Sequence, residues 1–297
     1  MNKWPDFFIV GAAKSGTTSL YYYLKEHPSI FMSELKEPWF FSFYGEETID
    51  ICKNMKSKIV TNTDEYLSLF QETGTSQIKG EASTPYLFLY KKTIHNMSKL
   101  LKDIHQKKII IILRNPVERA FSHYRMFLVS STEKESFSNA IQNEKRMSLI
   151  ESCPFYDYIS PGLYYSQVKA YMSKFNNVYV CLYEDLKYNP QELIRNLYDF
   201  LNVDTQFTPN YKKVYNEGGV KETYRGMKGN LRRIKYYIDA KLHNRKLYPY
   251  PYKDEKEMYR DYSRTYTHAY SMFEKDIVDL ELLIGRDLSV WNQVPKN

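Results

Sequence analysis

The chain begins with an apolar run, Phe7-Phe8-Ile9-Val10, that ends at Gly11. Small and polar residues follow, then Leu20 and Leu24 at helical spacing, so the pattern predicts strand, loop, helix. Pro28 stops that helix near His27, because a residue before proline is pushed out of the α region. Ile30 to Ser33 reads as a short second strand and Gln77 to Ala82 as a weaker one. The strongest strand signal is Lys108 to Leu113, an isoleucine run of the kind found where both faces of a parallel sheet are covered.

After that run, Asn115 can cap and Pro116 can open a helix whose apolar positions Val117, Ala120, Phe121, Tyr124 and Leu128 share one face. Val178 to Leu182, then Asn189-Pro190 and the pattern Leu193, Ile194, Leu197, Phe200, Leu201, repeats the strand-to-helix change. Lys91 to Ile104 reads as a helix leading back to the isoleucine strand. Lys253 to Ile284 reads as one or two long helices closed by Gly285, with Trp291 packing behind them. Strands alternating with helices predict an α/β fold: a central parallel sheet flanked by helices, with a helical C-terminal elaboration. No repeat or linker divides residues 1–297, which are expected to form one domain.

Composition refines this picture in three ways. Among 297 residues, 43% are hydrophobic and 26% charged, the balance of a folded globular chain. No apolar run approaches the roughly 20 residues of a membrane-spanning helix. The N-terminus lacks the apolar stretch of a secretory signal, so a cytoplasmic location is expected. Cys52, Cys153 and Cys181 are far apart and lack zinc or disulfide spacing, and are expected to be plain thiols. The net charge is +7, and nine bases against Glu222 and Asp239 crowd into Lys221 to Lys246. Such a field suits a nucleotide or polyanionic glycan, although a solvated helix face looks the same by charge alone.

The chemistry concentrates where strands give way to helices. Gly11-Ala12-Ala13-Lys14-Ser15-Gly16-Thr17-Thr18 lies between the first strand and first helix, where backbone N–H groups and the helix dipole favour an anion. The loop of nucleotide hydrolases has a lysine directly after its second glycine. Here Thr17 holds that place, and Lys14 lies two residues before Gly16. Leu113-Arg114-Asn115-Pro116-Val117-Glu118-Arg119-Ala120-Phe121-Ser122 follows the isoleucine strand in the manner of a second phosphate site. Arginine suits phosphate because its planar fork can bond two oxygens at once.

Together these segments resemble the two phosphate-binding motifs of sulfotransferases that use 3′-phosphoadenosine-5′-phosphosulfate (PAPS), in particular the carbohydrate and heparan sulfate enzymes and their soluble bacterial relatives. The resemblance implies a P-loop-like three-layer fold. It implies that Lys14, Ser15, Gly16, Thr17 and Thr18 hold the 5′-phosphosulfate, and that Arg114 and Ser122 hold the 3′-phosphate. Lys36-Glu37-Pro38-Trp39-Phe40-Phe41 resembles the segment bearing the family's catalytic base, which makes Glu37 the general base and puts Lys36 against the acceptor. A carboxylate among aromatics can have its pKa raised for such work. Gly80-Glu81-Ala82-Ser83-Thr84-Pro85-Tyr86 resembles a segment on the acceptor side, which puts Glu81 and Ser83 against the acceptor, although Glu81 reads equally as a structural carboxylate. Ala82 departs from heparan-type relatives, which carry a lysine there; some of the charge stabilisation would then come from Lys14 alone, or from Lys36 or Ser83. By the same resemblance Tyr164 lies near the 3′-phosphate or acceptor, and Lys221 or Arg225 closes over PAPS.

The expected reaction is in-line transfer of a sulfuryl group from PAPS to a hydroxyl or amine, on a carbohydrate, leaving adenosine 3′,5′-bisphosphate and needing no metal. A small alcohol or lipid acceptor is the alternative. No nucleic acid and no membrane span are expected as partners, and the oligomeric state stays open. Two rivals make different predictions: a nucleotide kinase or NTPase would use ATP with Mg²⁺, and a polyanion or nucleic-acid binder would bind with strong salt dependence and no response to PAPS.

Overall fold

The computed structural model describes residues 4–47, 59–74, 77–130, 132–211 and 251–292. Five strands form one wholly parallel sheet: β1 (Phe7–Gly11), β2 (Ile30–Met32), β3 (Ile78–Ala82), β4 (Lys108–Leu113) and β5 (Asn177–Leu182), in the order β2-β3-β1-β4-β5. The expected strands are all present. The alternation of side chains along β1 and β4 builds two cores. Phe8, Val10, Ile109, Ile111 and Leu113 face one layer, and Phe7, Ile9, Ile110 and Ile112 face the other. All of these are fully buried, each gaining about 1.5–3 kcal/mol from burial. The isoleucine run is thus explained by helices on both sides of the sheet.

Helix α1 (Thr17–Lys25) covers the second face together with Pro190–Leu201. The opposite face carries α2 (Phe40–Phe43), α3 (Thr63–Ser68), α4 (Pro85–Phe88), α5 (Tyr90–Leu100) and α6 (Pro116–Val129), with Tyr164–Lys174 and the two C-terminal helices Glu255–Ser271 and Glu274–Ile284. The Lys91–Ile104 expectation is met by a shorter helix ending at Leu100, followed by a separate 3₁₀ turn at Ile104–Gln106. Short α2 and α3 lie below the length at which apolar periodicity shows, which is why the sequence did not reveal them.

Asn115 caps α6 as its position predicts. Its Oδ1 accepts from the N–H groups of Val117 and Glu118 at 2.9 and 3.2 Å. Its Nδ2 donates to the Tyr266 hydroxyl and the Trp291 carbonyl at 2.8 and 2.9 Å, tying the C-terminal elaboration to the start of α6. Gly285 ends the last helix in the left-handed conformation, and Trp291 is fully buried. The cysteine expectation needs correction: Cys153 is disulfide-bonded, whereas Cys181 is a free, buried thiol. Cys52 lies outside the described residues. Among the described residues no helix is long and apolar enough to cross a membrane.

Candidate active site

Because β1 and β4 are neighbouring parallel strands, the loops leaving their carboxyl ends emerge side by side, the usual position for a ligand in an open α/β sheet. Arg114 Nη1 donates to the Lys14 carbonyl at 3.3 Å. The rest of the Arg114 fork is held by Glu118, with Nε and Nη2 at 3.0 and 2.6 Å from one carboxylate oxygen, and its plane lies 4.6 Å over Tyr183. Lys14 reaches the other way, its Nζ 3.9 Å from Met126 Sδ on α6. The two predicted phosphate loops therefore share one edge of the sheet.

Local backbone geometry explains the glycine of the first loop. Gly16 caps α1 at φ 94°, and a Cβ there would sit 2.6 Å from a Leu186 methyl. Lys14 is also left-handed, at φ 68°. Burial lowers the Lys14 pKa, the Arg114 cation lowers it further, Glu37 pulls it back up, and Arg125 and Lys36 push it down again. One ammonium thus feels three other cations and the Glu37 carboxylate, the electrostatics of a site made for an anion. Ser15 is fully buried beside the Tyr164 hydroxyl, Thr17 is buried, and Thr18 and Ser122 are half-buried. Ser122 lies two turns along α6 from its start.

Glu37 stands in the turn between β2 and α2, with its N–H bonded to the Ala82 carbonyl at 3.0 Å. Its Oε1 accepts from Lys36 Nζ at 2.8 Å; its Oε2 accepts from Trp39 Nε1 and Thr84 Oγ1, both at 2.9 Å. Burial pushes the carboxyl pKa up, but the Lys36 charge and the bonds from Lys36, Trp39 and Thr84 outweigh it and hold the group below its usual range. The expectation of a raised pKa is corrected: the aromatic surroundings come with donors, and these keep Glu37 ionised.

The structure also places the remaining candidates. Glu81 and Ser83 are fully buried and bonded inward: Glu81 Oε2 accepts from Tyr66 and Tyr86, and Ser83 Oγ from the Trp39 N–H. Tyr164 is also fully buried and donates to the Arg114 carbonyl at 3.0 Å, bracing the second loop from beneath. Ala82 faces the opposite core, and Lys36 is the cation placed beside Glu37. Lys221 and Arg225 lie outside the described residues. The sequence reading missed Trp39 and Thr84 as ligands of Glu37, although both lie within motifs it identified. It also missed Arg125, eleven residues past Arg114, whose half-buried guanidinium packs on Phe121 and Tyr259. Among the described residues no group of three or more His, Cys, Asp or Glu residues gathers as metal ligands.

A parallel sheet whose adjacent strand ends carry an arginine, a lysine and a glycine-turned helix start is an α/β fold with a setting suited to an anion at the carboxyl edge of its sheet. The sulfotransferase domain profile matches residues 4–230, and the chain belongs to that family, whose members use PAPS. The crystal structure of a sulfotransferase from Alicyclobacillus acidocaldarius is 31% identical and superposes with a TM-score of 0.72 over 98% of this chain and 99% of that one. The membrane-associated sulfotransferase kil1 of Dictyostelium discoideum is 32% identical over 155 residues, covering 50% of this chain and 29% of that protein. Heparan sulfate glucosamine 3-O-sulfotransferase 3B1 of Mus musculus is 26% identical over 201 residues, covering 67% of this chain and 46% of that protein. The chain spans less than half the length of these two curated relatives.

Proposed function

We propose that this enzyme transfers a sulfuryl group from PAPS to a hydroxyl or amine of a carbohydrate, with Glu37 as general base. The observation that carries the reading is the pairing of Lys14 with Arg114 across the ends of β1 and β4, with ionised Glu37 within electrostatic reach of Lys14. Bound there, PAPS would supply an electrophilic sulfur and a phosphate leaving group. Lys14 and the first N–H groups of α1 would hold the 5′-phosphosulfate and offset charge growing on its phosphate side. Arg114 and Ser122 would hold the 3′-phosphate, with Tyr164 and Glu118 fixing the arginine. Glu37 would take the acceptor's proton while Lys36 steadies its carboxylate.

The carbohydrate acceptor is supported by the likeness to heparan sulfate 3-O-sulfotransferase 3B1. Screening labelled PAPS against de-O-sulfated glycans, small alcohols and lipids tests it, and transfer confined to the alcohols or lipids rejects it. Glu37→Gln should abolish turnover and leave affinity for adenosine 3′,5′-bisphosphate within about twofold, because the amide keeps the shape but cannot take a proton. Undiminished turnover in that variant would remove Glu37 from the mechanism. The reading includes a cytoplasmic location, which sulfotransferase activity in fractionated cells tests.

A further inference from the structure

Glu81 is a fully buried carboxylate without a role in the chemistry above, and burying one is costly. Its surroundings show what it holds. One oxygen accepts from the Tyr66 hydroxyl on α3 at 2.8 Å and the Tyr86 hydroxyl on α4 at 2.9 Å. Both tyrosines grip the segment that follows Glu37. The Tyr86 oxygen accepts the Phe41 N–H at 3.2 Å, and the Tyr66 ring stacks on Phe40 with centroids 4.1 Å apart and planes 13° from parallel. Next along the chain, the Ala82 carbonyl accepts the Glu37 N–H, and Ser83 Oγ accepts the Trp39 N–H at 3.0 Å.

The gripped segment needs such support. Glu37 and Trp39 both adopt left-handed backbone conformations, φ 64° and 57°, which non-glycine residues keep only where the surroundings impose them. In that conformation the Trp39 indole N–H reaches Glu37 Oε2 at 2.9 Å. We propose that Glu81 is a positioning residue for Glu37: it clamps Tyr66 and Tyr86, which lock the Glu37–Phe41 turn and so aim the carboxylate. This rests on the assignment of Glu37 as base.

The clamp is also sensitive to pH. Burial raises the Glu81 pKa to about 7, the Ser83, Tyr66 and Tyr86 hydroxyls pull it down, and the Glu37 charge pushes it up. Buried Tyr171, on the Tyr164–Lys174 helix, lies within its field and donates to the Tyr86 carbonyl at 2.8 Å. As pH falls through this range Glu81 gains a proton and accepts from the phenols more weakly.

The test uses the full chain and three variants. Turnover of labelled PAPS is read as sulfate released to water and as transfer to de-O-sulfated heparin, and binding of adenosine 3′,5′-bisphosphate is read by calorimetry. Glu81→Leu should lower kcat by roughly 10- to 100-fold, the cost of a misaimed catalytic group, with nucleotide affinity held within about twofold. Glu81→Gln keeps a carbonyl acceptor, so it should hold kcat at pH 8 within about threefold of wild type and lose the inflection near pH 7. If Glu81→Leu does not fold, Tyr86→Phe replaces it, with kcat about 3- to 10-fold lower at unchanged nucleotide affinity. Wild-type kcat in Glu81→Leu or in Tyr86→Phe, a Gln variant as damaged as the Leu variant, or nucleotide affinity falling in step with kcat overturns the positioning role. A wild-type protein that binds no adenosine 3′,5′-bisphosphate instead refutes the proposed function itself.

Discussion

Replacing Thr84 by valine removes a single proton donor from Glu37 while keeping the side chain's shape. Thr84 Oγ1 donates to Glu37 Oε2 at 2.9 Å; Trp39 Nε1 and Lys36 Nζ hold the same carboxylate at 2.9 and 2.8 Å. A hydrogen bond to a charged group is worth about 1.5–3 kcal/mol. Its loss raises the Glu37 pKa, at about 1.36 kcal/mol for each tenfold change in the proton equilibrium. The sign follows from the native state holding this carboxyl below its ordinary value. Its stabilisation is present above the unfolded pKa and is lost as pH falls through the lower folded one. Thr84→Val should therefore move the acid limb of kcat/KM upward by about one to two pH units, with the plateau at pH 8 within about threefold because Trp39 and Lys36 remain. Urea midpoints should show a stability deficit of about 1.5–3 kcal/mol at pH 7 that shrinks once the carboxyl is protonated in both proteins. A uniform fall in kcat with the acid limb unmoved would mean that Thr84 only packs.

Other substitutions probe the frame of the site. Gly16→Ala forces an L-residue into φ 94° against Leu186 and should cost about 1–3 kcal/mol in a urea titration, with weaker binding of adenosine 3′,5′-bisphosphate. Asn115→Ala removes the α6 cap and both bonds to the C-terminal elaboration, and should cost about 2–4 kcal/mol by the same measurement. Tyr164→Phe frees the Arg114 carbonyl; nucleotide affinity should fall by about three- to tenfold in calorimetry while Glu37-dependent pH behaviour stays unchanged.

The sheet was legible because its central strands are buried on both faces and therefore carry long apolar runs, and because Gly16, Asn115 and Pro116 mark the loops that leave them. Lys14 and Arg114, a hundred residues apart, could be placed together only by knowing that β1 and β4 are neighbours, which the family resemblance implied and periodicity did not. The environment of Glu37 was harder to foresee. Its pKa depends on donors from Trp39 and Thr84, and the latter is brought in by β3 from 47 residues away. Glu81 reads equally as a site acid and as a structural carboxylate; strand register, which pairs it with Phe8 and turns it into the core, shows that its partners are tyrosines. The disulfide at Cys153 likewise leaves no local spacing to recognise.

The measurement closest to the central claim compares calorimetric binding of adenosine 3′,5′-bisphosphate with that of adenosine 5′-phosphate to wild type, Lys14→Ala and Arg114→Ala. If the ends of β1 and β4 hold opposite ends of one nucleotide, Lys14→Ala weakens both ligands. Arg114→Ala then weakens the bisphosphate by at least about tenfold and leaves the monophosphate nearly untouched, since a charged bond to the 3′-phosphate is lost only where that phosphate exists. Equal losses for both ligands in Arg114→Ala, or binding of ATP where the bisphosphate fails to bind, would contradict the account.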